Sequence, residues 1–231
     1  MEARTREILE TGLRDYIKTG EPITSERLYK FYDFGIKPAM IRRELNDLAE
    51  AGYLYQPHPS AGRLPTDKAY RVFIEKLLTE EETDKPSEQL QKMGRSLFHG
   101  NIASFVEDLA KSFGLLSIGY DPAADSFWNS GLESLLTSLD EATKEDFLAV
   151  VNDFSSLPGR LSRERALFKK EDVEPQIFVG ANPLTRSECL SVLASRVDFD
   201  GEEIILMTIG PKRMDYQKPI RLFRYLNKAK K

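Results

Sequence analysis

Pro38-Ala39-Met40-Ile41-Arg42-Arg43-Glu44-Leu45-Asn46-Asp47-Leu48-Ala49-Glu50 is the stretch that decides the fold of the first part of the chain. A proline in the first helical turn gives up an amide that has no partner there anyway, and Ala51-Gly52 ends the run. At 100° per residue, Leu45 and Leu48 fall within about 40° of Ile41, so the three make one buried stripe. Arg43 and Ala39 lie about 160° from the centre of that stripe and Asn46 about 140°, with Arg42 on one flank and Met40 on the other. The helix thus presents Arg43 and Asn46 outward, and Lys37 stands where the chain enters it. Arginine can bond guanine and asparagine adenine, while lysine pairs with phosphate. Ala39 and Met40 can pack on a thymine methyl or allow close approach.

Upstream, Ile8, Leu9, Leu13, Tyr16 and Ile17 recur at helical spacing, and Gly20 followed by Pro22 stops that helix. Thr24 or Ser25 caps a second helix with Leu28, Phe31 and Tyr32 as its apolar face, broken by Gly35. Downstream, residues 53–56 read as a strand and 58–65 as an irregular proline-containing loop. Thr66-Asp67 reads as the cap of a fourth helix carrying Tyr70, Phe73, Ile74 and Leu77. Three helices, a hairpin and a further helix predict a winged helix-turn-helix over residues 1–78, with the third helix in the major groove of DNA.

A face bearing Arg42-Arg43 is also what an ordinary solvated helix looks like. The neighbouring loop tips the reading. His58, Ser60, Arg63 and Lys68 put small, polar or basic groups beside the third helix, where a wing meets the phosphate backbone. The candidate DNA-contacting set is therefore Lys37, Ala39, Met40, Arg42, Arg43, Asn46, His58, Ser60, Arg63 and Lys68.

Residues 79–87 are acidic, polar and proline-ended, and read as a linker. Beyond it, helices are expected at 88–113, 130–139, 143–160 and 218–228, and strands at 115–119, 176–180, 190–197 and 203–209. Interleaving without strict alternation predicts an α+β domain over 88–231. The net charge of -4 does not decide for or against nucleic acid. Residues 1–76 carry 13 Lys/Arg against 12 Asp/Glu and the remainder 20 against 25, so the placement of the first segment's cations matters more than the total.

No run approaches the roughly 18–20 apolar residues of a membrane span, and no signal peptide is expected from the charged N-terminus. The single cysteine, Cys189, permits no intrachain disulfide and fits a reducing cytoplasm. With His58 and His99 as the only histidines, neither a zinc site nor Ser-His-Asp chemistry can be assembled from the pattern. Ile209-Gly210-Pro211 is no phosphate loop, because proline removes an amide donor. Cys189 reads as a small buried hydrophobe and Asp215 as the cap of the last helix. No catalytic residue, metal or cofactor is expected.

Several runs resemble the heat-inducible transcription repressor HrcA family: Tyr16-Ile17-Lys18-Thr19-Gly20-Glu21-Pro22-Ile23, Ile41-Arg42-Arg43-Glu44-Leu45, and above all the stretch 52–71. Gly180-Ala181-Asn182-Pro183-Leu184 and Ile209-Gly210-Pro211-Lys212-Arg213-Met214-Asp215-Tyr216 are similar to that family's GAF-like domain. The resemblance implies a small GAF-like second domain, a dimer on an inverted-repeat operator of chaperone genes, and a chaperonin as partner. It also marks departures. The family usually carries Ser-Pro-Ala-Thr-Ile-Arg-Asn-Glu where this chain has Lys37-Pro38-Ala39-Met40-Ile41-Arg42-Arg43-Glu44, so the operator is expected to differ. The chain is also shorter in the middle, where the family carries a dimerising insertion.

A single recognition helix covers few base pairs, which independently favours a homodimer. Its interface is expected in the fourth helix or, beyond the linker, in the segment 88–160, where Phe98, Phe105, Leu109, Phe113, Phe127 and Trp128 supply apolar surface unless they fill the second domain's own core. Two other functions stay open: a chaperone-interaction protein that no longer reads DNA, favoured if Arg43 and Arg63 are tied up internally, and a small-molecule-responsive regulator, favoured by an apolar cavity between the C-terminal strands.

Overall fold

The computed structural model describes residues 1–58, 61–80, 88, 101–139, 142–169, 172–199 and 201–228. Ser60, Phe98, His99 and most of the proposed linker lie outside them. The chain divides into two compact units, Met1–Thr79 and Glu80–Lys231. Helices and strands are mixed.

The first unit is built from α1 (Ala3–Thr19), α2 (Ser25–Phe31), α3 (Pro38–Glu50), the two-residue strands β1 (Leu54–Tyr55) and β2 (Leu64–Pro65), and α4 (Asp67–Thr79). Gly20 ends α1 in the left-handed region, its amide bonding the Tyr16 carbonyl. Thr24 is the residue that caps α2, accepting from the Arg27 amide at 3.1 Å. Ile8, Leu9, Leu13, Leu28, Ile41, Leu45, Leu48, Tyr70, Phe73, Ile74 and Leu77 form the core, as periodicity predicts.

Local expectations are corrected in three places. α2 stops at Phe31, before Gly35. Phe31 does not belong to the buried face; it is exposed under the cations of Arg27 and Lys30. Thr66 stands at the start of α4, its carbonyl accepting from the Ala69 and Tyr70 amides, and its hydroxyl donates to the carbonyls of Gly52 and Tyr53 just beyond α3. The loop expected at 58–65 contains β2, paired antiparallel with β1.

Two carboxylates inside this unit bind helices together. Asp15 of α1 takes bonds from both Arg27 nitrogens and from the Tyr32 hydroxyl. The Arg27 guanidinium holds its carboxyl below the usual range against the opposing pull of burial. Glu10, buried on α1, pairs with Lys76 of α4.

The second unit centres on a five-stranded antiparallel sheet in the order β4-β3-β7-β6-β5. The strands are β3 (Leu116–Asp121), β4 (Ser126–Ser130), β5 (Gln176–Val179), β6 (Leu190–Phe199) and β7 (Glu202–Pro211). Its described helices are α5 (Ile102–Phe113), α6 (Leu132–Thr137), α7 (Lys144–Glu164) and α8 (Gln217–Lys228). Leu116, Ile118, Tyr120, Val192, Ala194, Ile205, Met207 and Ile209 face α6 and α7. On the opposite face Gly119 lets α5 approach: a Cβ there would meet Val106 at 3.1 Å and Ile102 at 3.2 Å. Helices on both faces explain why β3 is buried at every position instead of alternating.

Of the helix expected over 88–113, the described part is α5, which Asn101 starts through its extended backbone and its side-chain bond to the Ala103 amide; 89–100 lie outside the described residues. α7 runs past Pro158 to Glu164, four residues beyond the expected end. β4 was not expected from the sequence. Phe105 and Leu109 lie in the core, not on a free surface. Cys189 is half-buried against the main core, and burial pushes its thiol up.

Asp153, buried on α7, accepts from the Arg186 amide, the Ser187 amide and hydroxyl, and Arg160 Nη1 at 2.6–2.9 Å. Burial alone would push this carboxyl up; the bonds from Ser187, Arg186 and Arg160 outweigh it and hold the carboxyl below its ordinary value. A depressed carboxylate stabilises the fold above its unfolded value and loses that contribution as pH falls through the folded value. Asp153→Ala strands Arg160 and two amides, and is expected to cost about 3–5 kcal/mol in denaturant unfolding at neutral pH. The gap to wild type should narrow below about pH 4 as the wild-type carboxyl protonates; an equal gap at pH 3 and pH 7 would refute the assignment.

Candidate nucleic-acid interface

Each side chain of the interface is placed by an identifiable local cause. Ile41, Leu45 and Leu48 are fully buried, which turns Ala39, Met40, Arg42, Arg43 and Asn46 outward, and all five are exposed. Lys37 precedes the first turn and is exposed as well. Glu44, beside Arg43 in the sequence, is drawn inward to accept from the Thr5 hydroxyl at 2.7 Å. Among the described residues nothing pairs with the side chains of Lys37, Arg42 or Arg43. Asp47 and Glu50 occupy the later half of α3, so the cationic part of the face is its N-terminal half. That half is the part of a recognition helix that enters a groove.

The hairpin loop is anchored by backbone. Ile23 and Arg63 exchange both main-chain hydrogen bonds at 2.9 Å, which ties the segment before β2 to the turn between α1 and α2. Gly62 makes the approach possible: a Cβ there would stand 2.6 Å from Pro22 Cβ and 2.9 Å from Thr24 Cγ2. The Gln56 side-chain amide and the His58 carbonyl both bond Ala61, closing the loop tip, and the His58 side chain is exposed.

From this anchor Arg63 reaches across to α3 and donates through Nη2 to the Asn46 side-chain oxygen. Its guanidinium is partly desolvated and lies near Arg42; burial and that like charge lower its proton affinity, while Glu26 opposes them. Arg63 and Asn46 are therefore not independent, as the helical wheel and loop reading had them. Lys68 occupies a different place from the expected one. Its ammonium bonds the Ala51 carbonyl at the C-terminal end of α3 at 2.7 Å and lies 4.2 Å from the centre of the Tyr53 ring. That is a C-terminal helix contact. The Ile23–Arg63 bridge went unread because the two residues are 40 positions apart and neither strand is long enough to show a pattern.

The motifs of the second unit turn out to hold structure. Asn182 bonds the Gly180 carbonyl, Thr185 and the amides of Leu184 and Thr185, folding 180–185 into a closed turn. The Tyr216 hydroxyl bonds Ser191 and Lys212, and Asp215 caps α8 through the Gln217 amide at 3.0 Å. A cavity of ≈ 10 Å³ among Leu116, Val150, Asp153, Phe154 and Ile209 has room for one water.

Three helices and a short hairpin that present a cationic helix face, followed by a helix-flanked sheet, define a two-unit protein of mixed helices and strands. Over part of its length the chain is similar to the heat-inducible transcription repressor HrcA. The HrcA of Natranaerobius thermophilus is 50% identical over 76 residues, 33% of this chain and 22% of that protein. The HrcA of Carboxydothermus hydrogenoformans is 40% identical over 119 residues, 51% and 33% of the two chains. The chain thus spans well under two thirds of these relatives. No family model matches it. A crystal structure of a hypothetical protein shares the fold across 99% of this chain and 97% of the other, with a TM-score of 0.76 at 18% identity.

Gly62→Ala should force the loop away from Pro22 and Thr24 and cost about 1–3 kcal/mol, as overpacking does. Denaturant unfolding of the full chain measures it, and an unchanged midpoint would show that the bridge gives way freely.

Proposed function

We propose that the chain is a DNA-binding transcriptional repressor of heat-shock genes. Its first unit acts as a winged helix, with 54–65 as the wing, and its second as a GAF-like dimerising unit. The observation that carries this reading is the free cationic N-terminal half of α3, Lys37, Arg42 and Arg43, braced by Arg63 from the hairpin. The printed names of the relatives support it. The reading without DNA is favoured by internal ion pairs of Arg43 and Arg63; among the described residues nothing pairs with Arg43, and Arg63 bonds a neutral amide, with Glu26 offsetting part of the burial and like charge that act on it. The small-molecule reading has no support from the ≈ 10 Å³ cavity.

In this reading Arg43 contacts a base, while Lys37 and Arg42 contact phosphates. Lys68 leaves the contact set. Selection from a random duplex pool gives the operator or shows that none exists. Arg43→Ala should then cost about 1–3 kcal/mol on that site and relax one position. Lys37→Ala should weaken all sequences alike and lower the salt slope by about one. Loss of specific binding alone in Lys37→Ala would contradict its role.

An inverted repeat needs a two-fold dimer. Leu148 and Val151 stand exposed on the outer face of α7. An antiparallel pairing of two α7 helices about Ser155 sets Leu148 against Ser162 and Val151 against Gly159, large groups over small ones. The double substitution Leu148→Glu with Val151→Glu is expected to convert a dimer into a monomer in sedimentation. A dimer that survives it lies elsewhere, and a wild-type monomer at micromolar concentration removes the dimer altogether.

A further inference from the structure

The Asn46–Arg63 bond has a polarity with consequences for base choice. A guanidinium has five donors and no acceptor, so the oxygen of the Asn46 amide, and not its NH2 group, must face Arg63. Asn46 is exposed, and among the described residues nothing engages its Nδ2. The base of the Arg63 side chain is fixed by the main-chain bonds to Ile23, and the guanidinium is partly desolvated, with its Nε buried.

An asparagine that reads adenine uses its oxygen and its NH2 together, on N6 and N7. Here the oxygen already accepts from a cationic donor, so although a second lone pair remains, the amino group of adenine would have to approach it beside the Arg63 guanidinium, donor against donor. What remains for the groove is a pure donor, and a donor matches an edge made of acceptors: N7 and O6 of guanine, or O4 of thymine. We propose that Asn46, oriented by Arg63, selects an acceptor base edge, guanine or thymine, in place of adenine. Arg63 is the positioning residue of the pair. It fixes which half of the amide is shown, and it reaches the base only through Asn46. This inference rests on α3 being the recognition helix.

The experiment is selection from a random duplex pool with the full-length wild type, Asn46→Asp and Arg63→Met. Asn46→Asp offers acceptors only, so the position it governs identifies itself by shifting toward cytosine or adenine, whose edges donate. The wild type should show guanine or thymine there. Arg63→Met releases the amide oxygen and should raise adenine at that same position by about tenfold relative to wild type, leaving other positions unchanged. Adenine already selected by the wild type overturns the proposal. So does an Arg63→Met protein that binds every sequence more weakly with the base preference intact, for that is the behaviour of a phosphate contact. If Arg63→Met does not fold, an Asn46→Asp consensus identical to the wild-type one overturns it too. A wild type that selects no consensus defeats the DNA reading itself, and is told apart from the other outcomes because they all require one.

Discussion

The two hydrogen bonds between Ile23 and Arg63 hold the first unit in its working shape. A two-residue hairpin such as β1–β2 cannot be stable alone. The bridge gives it a third chain to pair with, the turn between α1 and α2. Through that turn the hairpin is joined to the Asp15–Arg27–Tyr32 cluster that fixes α1 against α2. Remove the side-chain-free position at Gly62 and the approach is sterically blocked. The side chain that leaves this backbone clamp is Arg63, and it lands on α3. A main-chain contact between two loops thus places the side chain that engages Asn46 on the exposed helix face.

The second unit solves a similar problem with a buried anion. The turn 185–187 must reach α7, and its amides would be unpaired inside the core. Asp153 supplies four acceptor positions in one place, and Arg160 neutralises the carboxylate while bonding the Leu184 carbonyl. Asn182 then closes the preceding turn from the other side. The run 180–184 that carries family resemblance is explained by this geometry without any ligand. The same holds for Tyr216, which joins the Lys212 carbonyl to Ser191 where β6 meets β7.

Much of the first unit was legible because helices write a periodic code. Ile41, Leu45 and Leu48 fix the inward side of α3 from sequence alone, and the outward set follows by subtraction. Pairings between distant residues write no such code. The bridge at Ile23, the capture of Asn46 by Arg63 and the redirection of Lys68 to the Ala51 carbonyl all depend on where loops cross in space. Thr66 shows the same in miniature: its residue type marks a helix start, but nothing in the pattern shows that its hydroxyl donates to the carbonyls of Gly52 and Tyr53. In the second unit β4 was missed because Ser126-Phe127-Trp128-Asn129-Ser130 has only two apolar residues, adjacent to each other, and alternation cannot be seen in them. Pro158 biased the reading of α7 toward an early end, whereas packing of Leu157 and Leu161 carries the helix through it.

The cost of keeping cations together points to what the face is built to meet. Arg63 is partly desolvated and close to Arg42, and both effects act against its charge. An exposed side chain would relieve this by moving into water. The Arg63 guanidinium instead stays partly desolvated against Asn46, which offers a dipole and no countercharge. Glu44, the carboxylate next in line, is turned away to Thr5. Glu26 offsets part of this at Arg63. Lys37, Arg42 and Arg43 stand exposed with no carboxylate paired to them among the described residues. In the proposed reading a phosphate backbone laid across them supplies the countercharge, which a neutral ligand cannot.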